Sequence, residues 1–200
     1  MKPAVFLDRD GTLSEEVGYV DHPSRFHVFP YSIEAIKLLN DNGFLAIVVT
    51  NQSGVARGYF SEEMVTTIHE KLQQILKPAN ARIDAFYYCT HHPTLGETPY
   101  RIDCDCRKPK DGMIRQACLS LEIDLGQSWV IGDRYRDLQM GHNAGVRSAL
   151  VLTGFGRGEW ENEHDLWKQQ PELVCENVLE AVHSILDLRK QQVSESGSQS

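Results

Sequence analysis

The 200-residue sequence contains no apolar run long enough for a membrane helix, which needs about eighteen residues or more. Its first residues, Met1-Lys2-Pro3-Ala4, lack the apolar length and small-residue cleavage site of a secretory signal. A cytoplasmic protein without membrane attachment is therefore expected. Positive charge is also scarce. Lys and Arg number 20 against 28 Asp and Glu, a net charge of −8, with no long basic stripe. That balance argues against nucleic acid and anionic membranes as partners. Cysteines are few and odd in number: Cys89, Cys104, Cys106, Cys118 and Cys175. In a cytosolic chain they are not expected to form disulfides. From Lys190 onward the residues are mostly Gln, Ser, Glu and Gly, so residues 189–200 read as a disordered tail. What remains, residues 1–188, is enough for one domain with a sizeable core, with 41% of the whole sequence apolar.

What is present is concentrated near the start. Val5, Phe6 and Leu7 form a continuous apolar run, the pattern of a strand buried on both faces. Asp8 follows at the carboxyl end, where open α/β sheets place their ligands. Asp10 lies two residues on, and Gly11 permits a sharp turn. Carboxylates this close repel unless a cation sits between them, and Mg²⁺ is the usual hard cation beside phosphate. One carboxylate could then attack phosphorus while the other carries the proton of the leaving oxygen.

Further along, residues 14–29 show no strong periodicity and read as a loop over the end of the sheet. Pro30 and Ser32 open a helix carrying Ile33, Ile36, Leu38 and Leu39, and Gly43 closes it. Residues 44–49 are a second buried strand, running into Thr50-Asn51-Gln52-Ser53-Gly54. Here a hydroxyl and backbone amides could meet a phosphate. Ser61 is expected to cap the next helix, with Glu62 and Glu63 in its first turn. Met64, Val65, Ile68, Leu72, Ile75 and Leu76 keep helical spacing for packing on the sheet. Residues 83–88 are a third strand.

Cys89-Thr90-His91-His92 and Cys104-Asp105-Cys106 flank one loop containing Pro93, Gly96 and Pro99. Three thiolates and one imidazole make the ligand set of a closed structural Zn²⁺ site, which would staple residues 89–106 where no apolar core is available. His91 is the favoured imidazole and His92 the alternative. Arg107-Lys108-Pro109-Lys110 follows, a basic cluster in an acidic chain. Lys108 can reach a phosphoryl group as a point charge and Arg107 can make paired contacts. Pro109 suits the start of a helix through Met113, Ile114, Ala117, Leu119 and Leu121. A fourth strand, residues 128–132, ends in Asp133. A helix with Asp137 one turn on follows it. A fifth strand, residues 148–152, leads to a polar connection with Trp160 and Trp167. A closing helix carries Val178, Leu179, Val182, Ile185 and Leu186. Strands alternating with helices imply a doubly wound, mostly parallel sheet, whose carboxyl ends converge on one crevice.

Asp8-x-Asp10-Gly11-Thr12, Thr50, Lys108 and Gly132-Asp133-x-x-x-Asp137 occur in this order. In that respect the chain resembles the haloacid dehalogenase superfamily of phosphohydrolases. Gly18-Tyr19-Val20, Gly54-Val55-Ala56-Arg57-Gly58, Tyr87-Tyr88-Cys89 and Cys104-Asp105-Cys106-Arg107-Lys108-Pro109 make it most similar to the heptose bisphosphate 7-phosphatase family. The histidinol-phosphate phosphatases, which share the zinc loop, are the rival. The resemblance implies a Mg²⁺-dependent sugar-phosphate phosphatase, in nucleotide-activated heptose biosynthesis on the first reading. It also implies a small-molecule sugar phosphate as partner, and a monomer is expected.

Carried over by residue, Asp8 would be the nucleophile and Asp10 the general acid and then base. Thr50 and Lys108 would stabilise the transferring phosphoryl group. Asp8, Asp10 through its backbone carbonyl, and Asp133 would hold Mg²⁺. Glu16, Val17, Gly18, Tyr19, Asn51, Gln52, Ser53, Arg107 and Arg134 would contact substrate. Cys89, His91, Cys104 and Cys106 would bind Zn²⁺. Thr90 and Arg134 depart from the family pattern, which would have proline and lysine there. The carboxyl of Asp10 is expected to be raised by its acidic neighbour and partial burial. No segment is long enough for a separate cap domain, so residues 14–29 and the zinc loop must shape the pocket.

Overall fold

The computed structural model describes residues 1–197. Six strands form one sheet in the order β3-β2-β1-β4-β5-β6, every neighbouring pair parallel. They are β1 (Ala4–Leu7), β2 (Leu45–Asn51), β3 (Ala85–Cys89), β4 (Trp129–Gly132), β5 (Arg147–Val151) and β6 (Leu173–Cys175). The helices between and after them are α1 (Pro30–Asp41), α2 (Glu62–Leu76), α3 (Gly112–Ser120), α4 (Tyr135–Asn143), α5 (Gly156–Glu163) and α6 (Val178–Gly197). This is the doubly wound α/β fold, with no cap domain among the described residues. Among the described residues no helix is long and apolar enough to cross a membrane.

The continuous apolar strands follow from having helices on both faces. Alternate residues of β1 point to opposite layers. Val5 and Leu7 join the core built with α1, α2 and α6. Ala4 and Phe6 join the one built with α3 and α4. All four are fully buried, and truncating Phe6 to alanine would cost about 3–5 kcal/mol. α1 starts on Pro30 at its first turn. It ends before Gly43, whose φ of +78° suits a glycine at the helix exit.

The chain direction across the sheet reverses between β1 and β4, and crevices for ligands open at such switch points. Leu7 pairs with Ile131, and the amide of Asp8 donates to the carbonyl of Ile131 at 3.0 Å. The residues just past the two strands, Asp8 and Asp133, are thereby set side by side.

Several local readings change. α3 begins at Gly112 and not at Pro109, because a turn intervenes, closed by Lys110 N–H to the Arg107 carbonyl at 2.9 Å. Ser61 holds the N-cap position of α2, yet its hydroxyl makes no capping bond. The polar connection after β5 contains α5 and the short strand β6. Trp167 packs with Leu138 and Leu150 in a third cluster, with Trp160 against it. α6 continues to Gly197, through most of the segment read as a tail. Lys190, Gln191 and Gln192 are good helix formers, and Arg189 ties the helix to the Asn42 carbonyl at 2.8 Å. The remainder of that expected tail, residues 198–200, lies outside the described residues.

Candidate active site

The ends of β1 and β2, the Arg107-Lys108 turn and the first turn of α4 open on one pocket of about 350 Å³, while Asp133, just past β4, is buried and does not line it. Asp8, Asp10, Thr50, Lys108 and Asp137 line it, with Glu16, Gly18, Tyr19, Asn51, Gln52, Ser53, Arg107 and Arg134 around them. Val17 is the exception among the expected substrate contacts. It packs on the apolar core, and its carbonyl accepts from Arg25 at 3.0 Å.

At the floor, Lys108 reaches between two carboxylates. Its ammonium donates to Asp8 Oδ1 at 2.6 Å and to Asp137 Oδ1 at 2.8 Å, with only 2% of its side chain exposed. Burial opposes the lysine charge, but Asp137 and Asp8 outweigh it and hold Lys108 above its ordinary pKa. Asn51 fixes the lysine's backbone: its Oδ1 accepts the Lys108 N–H at 3.1 Å, and its Nδ2 donates to the Lys108 carbonyl at 3.3 Å. Asn51 was expected to bind substrate, yet its amide is spent on positioning Lys108. Asp137 has a similar role, since its second oxygen accepts the Arg134 amide at 3.0 Å.

Ligand oxygens of Asp8, Asp133 and Asp137 all lie within 4.8 Å of one another, and all three residues are buried. Facing one ammonium, they leave a surplus of two negative charges when ionised. Burial pushes the Asp8 carboxyl up to about 7 against the pull of Lys108, with Asp137 adding to the rise. Burial, then Asp8 and Asp137, hold Asp133 well above the usual carboxylate range. Asp133 Oδ2 accepts the Phe155 amide at 2.9 Å, whereas its buried Oδ1 has no hydrogen-bond partner. An orphaned carboxylate oxygen beside surplus charge is the environment a divalent cation satisfies. The cradle is tight: a Cβ on Gly11, at φ +90°, would lie 2.3 Å from Asp133 Oδ2.

Asp10 is turned away from this cluster. Arg9, 1% exposed, grips it through Nε to Oδ1 at 3.0 Å and Nη2 to Oδ2 at 2.7 Å. Gln52 donates to Asp10 Oδ2 at 2.9 Å and also to Thr50 Oγ1 at 3.0 Å. Burial raises the Asp10 carboxyl, but the Arg9 charge, helped by these bonds, holds it below its ordinary value. The expected upward shift is therefore reversed. The pairing of Asp10 with its sequence neighbour Arg9 was not visible in the spacing of the two aspartates.

Cys89, His91, Cys104 and Cys106 converge, their donor atoms within 4.8 Å of one another. The sulfurs of Cys104 and Cys106 are 3.1 Å apart, those of Cys89 and Cys104 3.5 Å, and His91 Nδ1 is 3.4 Å from Cys106 Sγ. Edges of this size enclose one ion bound at about 2.0–2.3 Å, so the cluster can hold a metal. His92 is excluded from it, its Nδ1 accepting amides of Thr94 and Leu95. The His91 carbonyl accepts Arg107 Nη1 at 3.1 Å, which links the cysteine loop to the pocket wall.

The pocket also contains Gly54, Arg57, Arg136 and Phe155, none of them singled out as site residues from the sequence. Arg57 lies in the same loop as Asn51, and Arg136 is two residues beyond Arg134. Those positions were the available signal.

A family model described as HAD-hydrolase-like matches residues 105–181. The D-glycero-beta-D-manno-heptose-1,7-bisphosphate 7-phosphatase of Pasteurella multocida is 46% identical over 155 residues, covering 77% of this chain and 84% of that protein. The Escherichia coli K12 protein of the same name is 42% identical, covering 76% and 80%. The crystal structure of the D,D-heptose 1,7-bisphosphate phosphatase from B. bronchiseptica, complexed with magnesium and phosphate, superposes with a TM-score of 0.81. It is 33% identical and covers 94% of this chain and 99% of that one. Identity at this level over most of both chains, on a shared fold, means that this chain belongs to the HAD-like family of heptose bisphosphate phosphatases.

Proposed function

We propose that the chain is a phosphoric monoester hydrolase that removes the 7-phosphate of D-glycero-D-manno-heptose 1,7-bisphosphate. The observation that carries this reading is Asp8, held by Lys108 on the floor of the pocket at 2.6 Å. The family to which the chain belongs supplies the substrate class.

Asp8 keeps Oδ1 on Lys108 and leaves Oδ2 without a protein partner. In the first step an Asp8 oxygen bonds to phosphorus as the bond to the sugar oxygen breaks, giving an aspartyl-phosphate. Asp10 protonates the departing sugar oxygen. In the second step Asp10 takes a proton from a water that bonds to phosphorus as the bond from phosphorus to the Asp8 oxygen breaks, releasing inorganic phosphate and the free Asp8 carboxylate. The Arg9 grip favours the carboxylate form of Asp10, ready for this second step. Protonation for the first step is favoured when the phosphate dianion brings negative charge alongside. Thr50 and the Lys108 ammonium face the phosphoryl oxygens and stabilise their developing charge.

Asp8, Asp133 and the Asp10 carbonyl would hold Mg²⁺, Asp133 through its orphaned Oδ1. Both oxygens of Asp137 are already engaged by Lys108 and the Arg134 amide, so Asp137 serves as the anchor of Lys108. Bound there, the ion would neutralise phosphoryl oxygens during transfer. Zn²⁺ is the metal that three thiolates and an imidazole select, and its role is to stiffen the loop bearing Arg107 and Lys108. Glu16, Gly18, Tyr19, Gln52, Ser53, Arg107 and Arg134 surround the sugar.

The test offers heptose 1,7-bisphosphate and histidinol phosphate side by side with Mg²⁺ and follows phosphate release. Preference for the bisphosphate is expected. Preference for histidinol phosphate would keep the chemistry and overturn the substrate.

A further inference from the structure

Four arginines line the pocket, in a chain whose overall charge is negative: Arg57, Arg107, Arg134 and Arg136. They differ in how far protein partners already occupy them. Arg107 donates to the His91 carbonyl. Arg134 is paired through Nε with Glu159 at 2.7 Å and stacks on Phe155, 4.2 Å from the ring centre. Arg57 touches His92 Nε2 at 3.4 Å through Nη2. Arg136 has neither a hydrogen bond nor an ion pair among the described residues, although it is partly buried and lines the pocket. Glu16 feels the charge of both Arg134 and Arg136 yet forms an ion pair with neither.

The two amides that precede Arg136 are not open to an anion. The first amides of α4 are taken, Arg134 N–H by Asp137 and Tyr135 N–H by Glu159 Oε2 at 2.7 Å. The groups that carry positive charge at this end of the pocket are the guanidiniums of Arg134 and Arg136. A bisphosphate substrate brings two phosphates, of which Asp8, Lys108 and Thr50 engage one. The second needs a cation away from the floor whose N–H groups are not already engaged, and a guanidinium can pair with phosphate through two N–H groups.

We propose that Arg136, assisted by the free terminal nitrogens of Arg134, binds the non-reacting phosphate and sets the preference for a bisphosphate over a monophosphate. The inference rests on the phosphatase reading above and names the residue that gives that site its second phosphate contact. Arg136 acts on binding of the substrate end that does not react, so its loss falls on KM more than on kcat.

The experiment compares wild type, Arg136→Gln, Arg136→Lys and Arg57→Gln on heptose 1,7-bisphosphate and on heptose 7-phosphate. A generic aryl phosphate serves as a control for the chemistry. Arg136→Gln is expected to lower the ratio of kcat/KM for the bisphosphate over the monophosphate by about tenfold, mostly through KM. Arg136→Lys should restore part of it, which a purely structural defect would not do. An unchanged ratio in Arg136→Gln overturns the inference while leaving the phosphatase reading intact. So does a loss of preference confined to Arg57→Gln, which would put the second phosphate beside the cysteine loop. A wild type that hydrolyses the aryl phosphate but not the bisphosphate overturns the substrate reading and this inference with it.

Discussion

Replacing Lys108 by methionine tests the charge balance on which the site is built. Methionine keeps most of the volume and removes the one ammonium between Asp8 and Asp137. The lysine side chain is 2% exposed, and its contacts are 2.6 and 2.8 Å. Removing one partner of a buried ion pair costs about 3–5 kcal/mol, because the remaining charge is stranded. Here relaxation is available: the Asp8 carboxyl, already raised to about 7 by burial despite Lys108, takes up a proton. A loss of roughly 3 kcal/mol near neutral pH is expected in the metal-free protein. At about 2–4 °C per kcal/mol for a domain of this size, Tm falls by about 10 °C.

The pH dependence of this loss has a fixed sign. Without the lysine, the folded-state pKa of Asp8 moves further above its unfolded value, so the folded variant binds more protons than wild type. The penalty must then shrink as pH falls towards 5 and grow as it rises. Denaturant melts of both proteins in chelator at several pH values would measure it. A penalty under about 1 kcal/mol, or one that grows on acidification, would refute the placement of Lys108 between two buried carboxylates. In Mg²⁺, kcat should fall by about 10²–10³, the range for losing one stabiliser of transition-state charge.

Other perturbations reach different parts of the structure. Gly11→Ala should cost roughly 2 kcal/mol through its positive φ. It should also lower activity and raise the Mg²⁺ concentration needed for it, because the new Cβ would lie 2.3 Å from Asp133 Oδ2; a fully active variant with unchanged Tm would count against the cradle. A zinc-selective chelator in excess Mg²⁺ should lower both Tm and activity, with recovery on adding Zn²⁺. Purified protein that contains no zinc and ignores the chelator would remove the stapling role. His69 stacks on Phe86 at 4.4 Å, and burial, with Arg9 adding, lowers its pKa to about 3. Its unfolded pKa is about 6.5. The unfolded chain therefore binds the extra proton between these values, and stability is lost as pH falls through that window, by up to ~1.4 kcal/mol per pH unit. His69→Phe should flatten that part of the stability profile, and an equally steep profile would assign the loss elsewhere.

Much of the fold was legible because parallel strands covered on both faces are written as continuous apolar runs. β1 and β4 run straight into Asp8 and Asp133, and β2 ends in Thr50-Asn51, so the place of the crevice is legible in the sequence. The cysteine cluster was legible for a different reason: its four ligands are set by spacing around one loop. β6 has only three residues, and α5 carries no apolar stripe, with Gly156 its one buried residue. Such elements exist through packing against the rest of the sheet, which local pattern does not record. The site details that stayed hidden are pairings between side chains distant in sequence or free to rotate. Asn51 clamps Lys108 across 57 positions. Asp10 chooses Arg9 over a shared proton with Asp8, a rotamer choice that spacing leaves open. Arg136 drew no notice because its distinction is the lack of a hydrogen-bond or ion-pair partner among the described residues.

The proposed mechanism stands or falls on the attack of Asp8 on phosphorus. The most direct measurement quenches the reaction in acid within a turnover, using substrate labelled in the 7-phosphate, and maps the label onto peptides. A hydroxylamine-sensitive acyl phosphate is expected on the peptide containing Asp8, appearing and decaying at the turnover rate and absent in Asp8→Asn. Turnover that never labels Asp8, or an Asp8→Asn protein that remains fully active, would contradict it.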